Sequence, residues 1–312
     1  MPPAIFTENL GKRYRNTEAL HGLNLEIPEG QCVALLGPNG AGKSTTLKLL
    51  MNLATPSEGW AAVLGRDSRT LAGSDFQRIG YVSENQDLPL WMTVEGFMRY
   101  LTPFYPKWDR DFCQRLLRDF DIDPTKKLKH LSRGTLMKTA LIASIAFRPK
   151  LLLLDEPFSG LDPLVREEFV QGVLEIASDS GWTVLLASHD IHEVERLADS
   201  VALLNGGRLA LHESADELRG RFRRVEVNLP DETAFARLHD PPATWLQIRN
   251  EGRRMSFIDS QFSDEGEGIR RHLGEAFGAE AARHVEILPL SLREIFLILA
   301  REFRQPQTDR SA

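Results

Sequence analysis

The sequence predicts an α/β fold with a parallel sheet at its core, an antiparallel β subdomain and a helical subdomain around it, and a small C-terminal α+β domain. Three observations lead there. Short, largely apolar runs at Cys32–Leu36, Leu151–Leu154 and Thr183–Ala187 read as buried strands, each stopping at a turn or polar residue. Helical patterns lie between them, as at Ser44–Asn52 and Val165–Ala177. Strands alternating with helices give a parallel sheet, whose ligands bind beyond the carboxyl ends of the strands.

Ahead of the first run, Leu23, Leu25 and Ile27 alternate with Asn24 and Glu26, the period of a half-exposed antiparallel strand. Phe6–Leu10 supplies a second strand for that subdomain. Trp91–His130 has helical character and is rich in aromatics (Phe97, Tyr100, Phe104, Tyr105, Trp108, Phe112, Phe120). A helical subdomain over residues 88–145 with its own small core is expected, and any exposed aromatics offer a surface to a partner. The first domain is set at residues 1–220, and the cluster Arg219, Arg221, Arg223 and Arg224 reads as a solvated face or linker.

Residues 221–312 follow a different plan. Strand Val225–Leu229, helix Glu232–Leu238, strands Trp245–Arg249 and Met255–Asp259, helix Glu265–Phe277 and strand Val285–Leu288 resemble a split βαβ unit. A last helix, Ser291–Phe303, opens with the capping-box pair Ser291 and Glu294. No catalytic constellation lies in this domain, and a dimerisation or regulatory role is expected of it.

The chain has 312 residues, 42% hydrophobic and 26% charged, which suits a large globular domain plus a smaller one. A net charge of -6 lacks the basic excess of a nucleic-acid binder, so no nucleic-acid partner is expected. Cys32 and Cys113 are far apart and form no metal-binding or disulfide pattern. Met1–Leu10 carries Glu8 and no apolar run, and no stretch reaches the apolar length of a membrane span. A soluble, cytoplasmic chain is expected.

The strongest motif is Gly37-Pro38-Asn39-Gly40-Ala41-Gly42-Lys43-Ser44, followed by Thr45. It fits GxxxxGK[ST] and stands between a strand and a helix, the context its mechanism needs. Its glycines let backbone N–H groups turn toward phosphate oxygens, and the helix adds its positive end. Lys43 supplies charge to the β- and γ-phosphates, and Ser44 offers a hydroxyl to Mg²⁺. Downstream, the run Leu151–Leu154 delivers Asp155 and Glu156 to the sheet edge. A carboxylate there can hold Mg²⁺, and a second can polarise an attacking water.

With these two motifs in order, the chain resembles the ABC ATPase family over residues 6–218. Leu131-Ser132-Arg133-Gly134-Thr135 stands where that family carries its LSGGQ signature, with Arg133 and Thr135 departing from it. Tyr14 resembles the aromatic residue that stacks on adenine. Ser159-Gly160-Leu161-Asp162 resembles the D-loop at the dimer interface, and His189 the switch histidine beside the γ-phosphate. Ile79–Glu84 occupies the Q-loop position, with Glu84 where the family usually has glutamine and Gln86 two residues on. Either could serve as the Q-loop ligand toward Mg²⁺.

The resemblance implies ATP and Mg²⁺ as cofactors. It implies a head-to-tail ATPase dimer, with itself or with a sister subunit, in which Ser132 and Gly134 reach the γ-phosphate held by the other subunit. Glu156 and His189 would be catalytic, and Ser44, Asp155 and Glu84 would hold the metal. Tyr105–Asp109, Leu131–Gly134 and Ser291–Leu297 further resemble ATP-binding subunits of bacterial ABC-2-type exporters of the bacitracin-export-like branch. The expected function is therefore to power a membrane-spanning permease on a separate chain, from the inner face of the cell membrane, through the surface near Glu84–Phe104. The alternatives are a non-transport ABC ATPase acting on nucleic acid or ribosomes, and a binding-only partner of an active chain. The short stretch between Ser44 and Leu131 and the acidic balance oppose the first, and Glu156 and His189 oppose the second.

Overall fold

The structure, a computed structural model, describes residues 2–84, 86–191 and 195–303, with the backbone alone for 175–180. The chain divides into two compact units, Met1–His212 and Glu213–Ala312.

In the first unit, β1 (Ile5–Tyr14) and β2 (Thr17–Ile27) form a hairpin, and β3 (Cys32–Leu36) leads through the glycine-rich loop into α1 (Lys43–Leu50). β4 (Glu58–Val63) and β5 (Arg66–Asp67) complete an antiparallel sheet of order β2-β1-β4-β5. After the short α2 (Gly73–Phe76) comes β6 (Ile79–Ser83), then the helices α3 (Val94–Leu101), α4 (Arg110–Asp119) and α5 (Arg133–Ile145). β7 (Leu151–Asp155), α6 (Pro163–Ser180), β8 (Thr183–Ser188), β9 (Ser200–Asn205) and β10 (Arg208–Ser214) follow. The second sheet has the order β10-β9-β3-β8-β7-β6, and its pairs β9/β3, β3/β8, β8/β7 and β7/β6 are parallel.

Every residue of β3, β7 and β8 is buried, which is why these strands read as continuous apolar runs rather than alternating ones. Val33 and Leu35, Leu151 and Leu153, and Leu185 and Ala187 share one face, as the two-residue period requires. They pack in one core with Leu47 and Leu50 of α1 and with Leu23, Leu25 and Ile27 of β2. The antiparallel subdomain and the parallel sheet thus bury the same apolar surface, and the glycine-rich loop is pinned between them. Of the aromatics in the helical subdomain, Phe97, Phe112 and Phe120 are buried, and Tyr105 stacks on Phe147 at 4.0 Å. Tyr100 and Phe104 are exposed, as are Leu90 and Trp91 before them.

In the second unit, α7 (Ala215–Arg221) precedes β11 (Arg223–Asn228), β12 (Trp245–Glu251) and β13 (Arg254–Asp259). Then come α8 (Glu267–Phe277), α9 (Ala279–Arg283), β14 (Val285–Pro289) and α10 (Leu292–Glu302). The order β12-β13-β11-β14, antiparallel throughout, is the split βαβ arrangement. Two elements differ from expectation. The helix expected at Glu232–Leu238 is a four-residue 3₁₀ turn, Ala234–Arg237, because the Asp231 carboxylate takes the Thr233 N–H at 2.9 Å and competes with helical bonding. The next helix starts at Glu267 rather than Glu265, since Glu265 sits at φ 54°. The capping box of Ser291 and Glu294 is formed as the sequence indicates.

Leu153 is fully buried on β7, an interior strand of the parallel sheet. Its replacement by Ala leaves a cavity and is expected to cost about 2–5 kcal/mol, read as a lowered midpoint in urea denaturation of the full chain.

Candidate functional site

The carboxyl ends of β3, β8, β7 and β6 lie level with one another. Leu36 pairs with Ser188, Ala187 with Asp155, and Asp155 with Ser83. That register sets the glycine-rich loop, the Asp155–Glu156 pair, His189 and Glu84 along one sheet edge, from four segments far apart in sequence.

The loop is shaped by its glycines. Gly42 stands at φ 105°, and a Cβ there would meet the Ala19 carbonyl oxygen at 2.7 Å. Gly37 is as tight, since a Cβ would fall 2.4 Å from the Leu204 carbonyl oxygen. Any side chain at either position would push the loop off the strands behind it. The contact at Ala19 also brings the β1–β2 hairpin against the loop. Tyr14, near the tip of that hairpin, is 42% exposed, with the Lys12 ammonium 4.9 Å from its ring centroid, so it is a surface ring rather than a core one.

Lys43 is buried and donates to the Gly37 carbonyl oxygen at 2.8 Å while its Nζ lies 3.1 Å from Glu156 Oε1. The other Glu156 oxygen, Oε2, lies 2.8 Å from His189 Nδ1 and accepts the His189 N–H at 3.3 Å. Glu156 holds φ 48°, uncommon for a side-chain-bearing residue, and its own N–H donates to the Ala187 carbonyl at 2.9 Å. The hydrogen bond across to β8 fixes that unusual backbone and aims the carboxylate between Lys43 and His189.

Ser44 Oγ donates to Asp155 Oδ1 at 2.8 Å. Burial raises the Asp155 carboxyl above its usual value; the Ser44 hydrogen bond works against this, and the charge of Glu156 adds to it. A hydroxyl and a carboxylate converging beside a phosphate loop are hard oxygen donors and fit a magnesium ion that keeps water and phosphate oxygens as its other ligands. Among the described residues no group of three or more His, Cys, Asp or Glu forms a metal site complete in itself.

Ser132 caps α5, accepting the Thr135 N–H at 3.1 Å, and is exposed at that helix start. Gly134 is buried, and a Cβ there would meet Val165 Cγ1 at 2.7 Å, so this glycine lets α5 approach α6. Asp162 caps α6 by accepting the Val165 N–H at 3.1 Å, next to an exposed Leu164. Asn39 and Gly40 lie at the exposed tip of the phosphate loop, Pro38 and Ala41 flank it, and Thr45 is half-buried on the first turn of α1.

Glu84 is not joined to the Ser44–Asp155 pair. Its Oε1 accepts from Ser159 Oγ at 2.7 Å and lies 3.5 Å from an Arg133 guanidinium nitrogen. Gln86 turns its amide oxygen back to the Ser83 N–H at 3.3 Å. The Ser159 and Arg133 contacts to Glu84 are absent from the sequence reading. Their only trace there is that Glu84 and Arg133 both depart from the family pattern, with opposite charges.

The sequence pattern described as ABC transporter matches residues 20–159. An ABC transporter ATP-binding protein of Bacillus subtilis, YhaQ, is 30% identical over 93% of this chain and 96% of its own length. The chain belongs to the ABC transporter ATP-binding proteins. It is therefore an ABC-type ATPase subunit. The bacitracin transport ATP-binding protein BcrA of Enterococcus faecalis is 28% identical over 89% of this chain and 97% of its own. The dimeric post-hydrolysis structure of the ATP-binding cassette MJ0796, bound to ADP and Pi, aligns with a TM-score of 0.60 at 25% identity, over 67% of this chain and 98% of that one. Among the described residues no helix is long and apolar enough to cross a membrane.

Because the Asp155 carboxyl is raised, the folded ABC subunit holds a proton that the unfolded chain has released, and stability falls as pH climbs from the ordinary carboxylate range through the raised value. Asp155→Asn removes the buried charge. Its thermal midpoint is expected to exceed the parent's above that window, with the gap closing as pH falls below the ordinary carboxylate pKa.

Proposed function

We propose that this chain binds Mg²⁺-ATP along the sheet edge, hydrolyses it in a head-to-tail dimer, and thereby powers a membrane-spanning permease on a separate chain, in the direction of export. The observation that carries the hydrolytic part is the shared carboxylate of Glu156, held between Lys43 and His189.

The N–H groups of Gly37–Thr45 and the Lys43 ammonium bind the triphosphate, and Tyr14 stacks on the adenine ring. Ser44 and Asp155 are the side chains that would hold Mg²⁺, which would neutralise triphosphate charge when bound; Glu84, turned to Ser159 and Arg133, is not among them. As Lys43 turns to phosphate, Glu156 Oε1 is released to take a proton from the water that attacks the γ-phosphorus. His189 orients Glu156 through its ring nitrogen and presents its half-exposed edge to the γ-phosphate. Ser132 and the N–H of Gly134 donate to the γ-phosphate held by the opposite subunit, and Asp162 and Leu164 lie at the shared interface.

Energy leaves through the helical subdomain. A cleft of about 250 Å³ beside the Q-loop is lined by Leu88, Leu90, Leu136 and Met137, with Glu84 and Arg133 at its polar side. Trp91 is exposed beside Leu90, and Tyr100 and Phe104 are exposed farther along the helical subdomain; such apolar surface suits a helix presented by the permease at the inner face of the membrane. The likeness to BcrA, named for bacitracin transport, supports a transport role for this chain. The second unit serves dimerisation or regulation.

Two outcomes test this reading. Glu156→Gln is expected to lower steady-state ATP hydrolysis by about 10²–10⁴-fold while ATP binding, read by equilibrium dialysis, persists; an unchanged rate would remove Glu156 from the mechanism. Leu90→Asp with Trp91→Ser is expected to shift the chain from the membrane pellet of its host to the supernatant and to leave hydrolysis by the purified chain intact. Retention in the pellet would place the docking surface elsewhere.

A further inference from the structure

One guanidinium joins three functional loops. Arg133, third in the signature and directly after Ser132, lies 3.5 Å from Glu84 Oε1 of the Q-loop. Ser159 of the D-loop donates to that same oxygen at 2.7 Å. The Arg133 side chain also lies across Gly160, where a Cβ would come within 2.7 Å of Arg133 Nη1 and 2.9 Å of its Cζ. Gly160 holds φ 69°. The D-loop therefore offers a bare backbone seat that only glycine provides, and the planar guanidinium fills it.

The position of Arg133 is not explained by the helix it begins. As the first residue of α5, its cation stands at the positive end of the helix dipole, where a cation is disfavoured. Nor is the ion pair a source of stability, since the two side chains are 53% and 35% exposed and such surface pairs contribute little. What the pair does is local. A carboxylate at the Q-loop position brings one more negative charge to a site that must accept a triphosphate, and an adjoining cation cancels it. The family's usual pattern has a neutral glutamine and a glycine at these two positions; here both are replaced, by residues of opposite charge that touch.

We propose that Arg133 is the positioning residue for Glu84: it holds the Q-loop carboxylate against Ser159 and supplies its counter-charge, so that the charged pair takes the place of the neutral glutamine–glycine pair. The Q-loop, signature and D-loop of one subunit then move as one body when the dimer closes. This rests on the head-to-tail dimer described above. Arginine suits the role better than lysine, because its planar fork can face Glu84 while lying flat on Gly160.

The test is a double-mutant cycle in the Glu156→Gln full-length chain, with Mg²⁺-ATP-driven dimerisation measured by sedimentation velocity. Arg133→Gly is expected to weaken dimerisation by about tenfold, the scale of coupling between contacting residues. Adding Glu84→Gln to Arg133→Gly is expected to restore dimerisation to within about threefold of the parent. The thermal midpoint and the affinity of the monomer for a fluorescent ATP analogue without Mg²⁺ are expected to stay unchanged in Arg133→Gly. Equal weakening in the single and double variants, which direct contact of Arg133 with the opposite nucleotide would produce, overturns the proposal. So does dimerisation that Arg133→Gly leaves untouched. If the Glu156→Gln parent itself stays monomeric with Mg²⁺-ATP, the dimer reading fails, and the positioning role of Arg133 falls with it.

Discussion

The structure depends on one buried carboxylate being held between two partners of different kinds. Glu156 leaves the end of β7 in a left-handed backbone conformation and meets Lys43 of the phosphate loop on one side and His189 after β8 on the other. A buried charge of this sort is tolerated only when paired and hydrogen-bonded. The requirement fixes the ends of three adjacent strands relative to one another. The apolar faces of β3, β7 and β8 supply the rigid floor for it, and the antiparallel subdomain closes the same core from above the phosphate loop. In the proposed mechanism the same pairing is the switch, because a Lys43 that turns to phosphate leaves Glu156 free to accept a proton.

The proposed route from this centre to a permease runs along neighbouring strands. Ser83 at the end of β6 pairs with Asp155, so the Q-loop begins one strand from the proposed metal ligands. α5 rests directly on β6: a Cβ on Gly80 would fall 2.4 Å from the Ser144 carbonyl, and Ser144 Oγ donates to the Tyr81 carbonyl at 2.9 Å. The helix that Ser132 caps and Arg133 begins is therefore anchored near its C-terminal end to β6, the strand that Glu84 follows. The apolar cleft lies between these two elements, where a docked helix can press on both.

Much of this was legible in the sequence, and the reasons are physical. The buried strands announced themselves because burial on both faces demands unbroken apolar runs. The phosphate loop was legible because few residue types allow its backbone. Ser132 and Asp162 were legible as motif members, and the structure adds that each caps a helix. Less legible were features set by side-chain meetings across long sequence distances. The Glu84–Arg133–Ser159 cluster joins residues 49 and 75 positions apart, and no local pattern encodes it. The turn at Ala234–Arg237 was misread as a helix because its composition suits one, while the deciding contact is a single aspartate bonding to its own backbone. The split βαβ order of the second unit was readable from element order alone, yet nothing in its residues announces a reaction.

The central claim is that ATP turnover in this subunit drives a permease carried on another chain. The most direct measurement is to tag the chain in its native host, solubilise the membranes gently, and identify what is recovered with it. The account predicts a protein with several membrane spans in stoichiometric amount. Recovery only in soluble fractions, together with ribosomes or DNA-processing proteins, would contradict it while leaving the ATPase assignment in place.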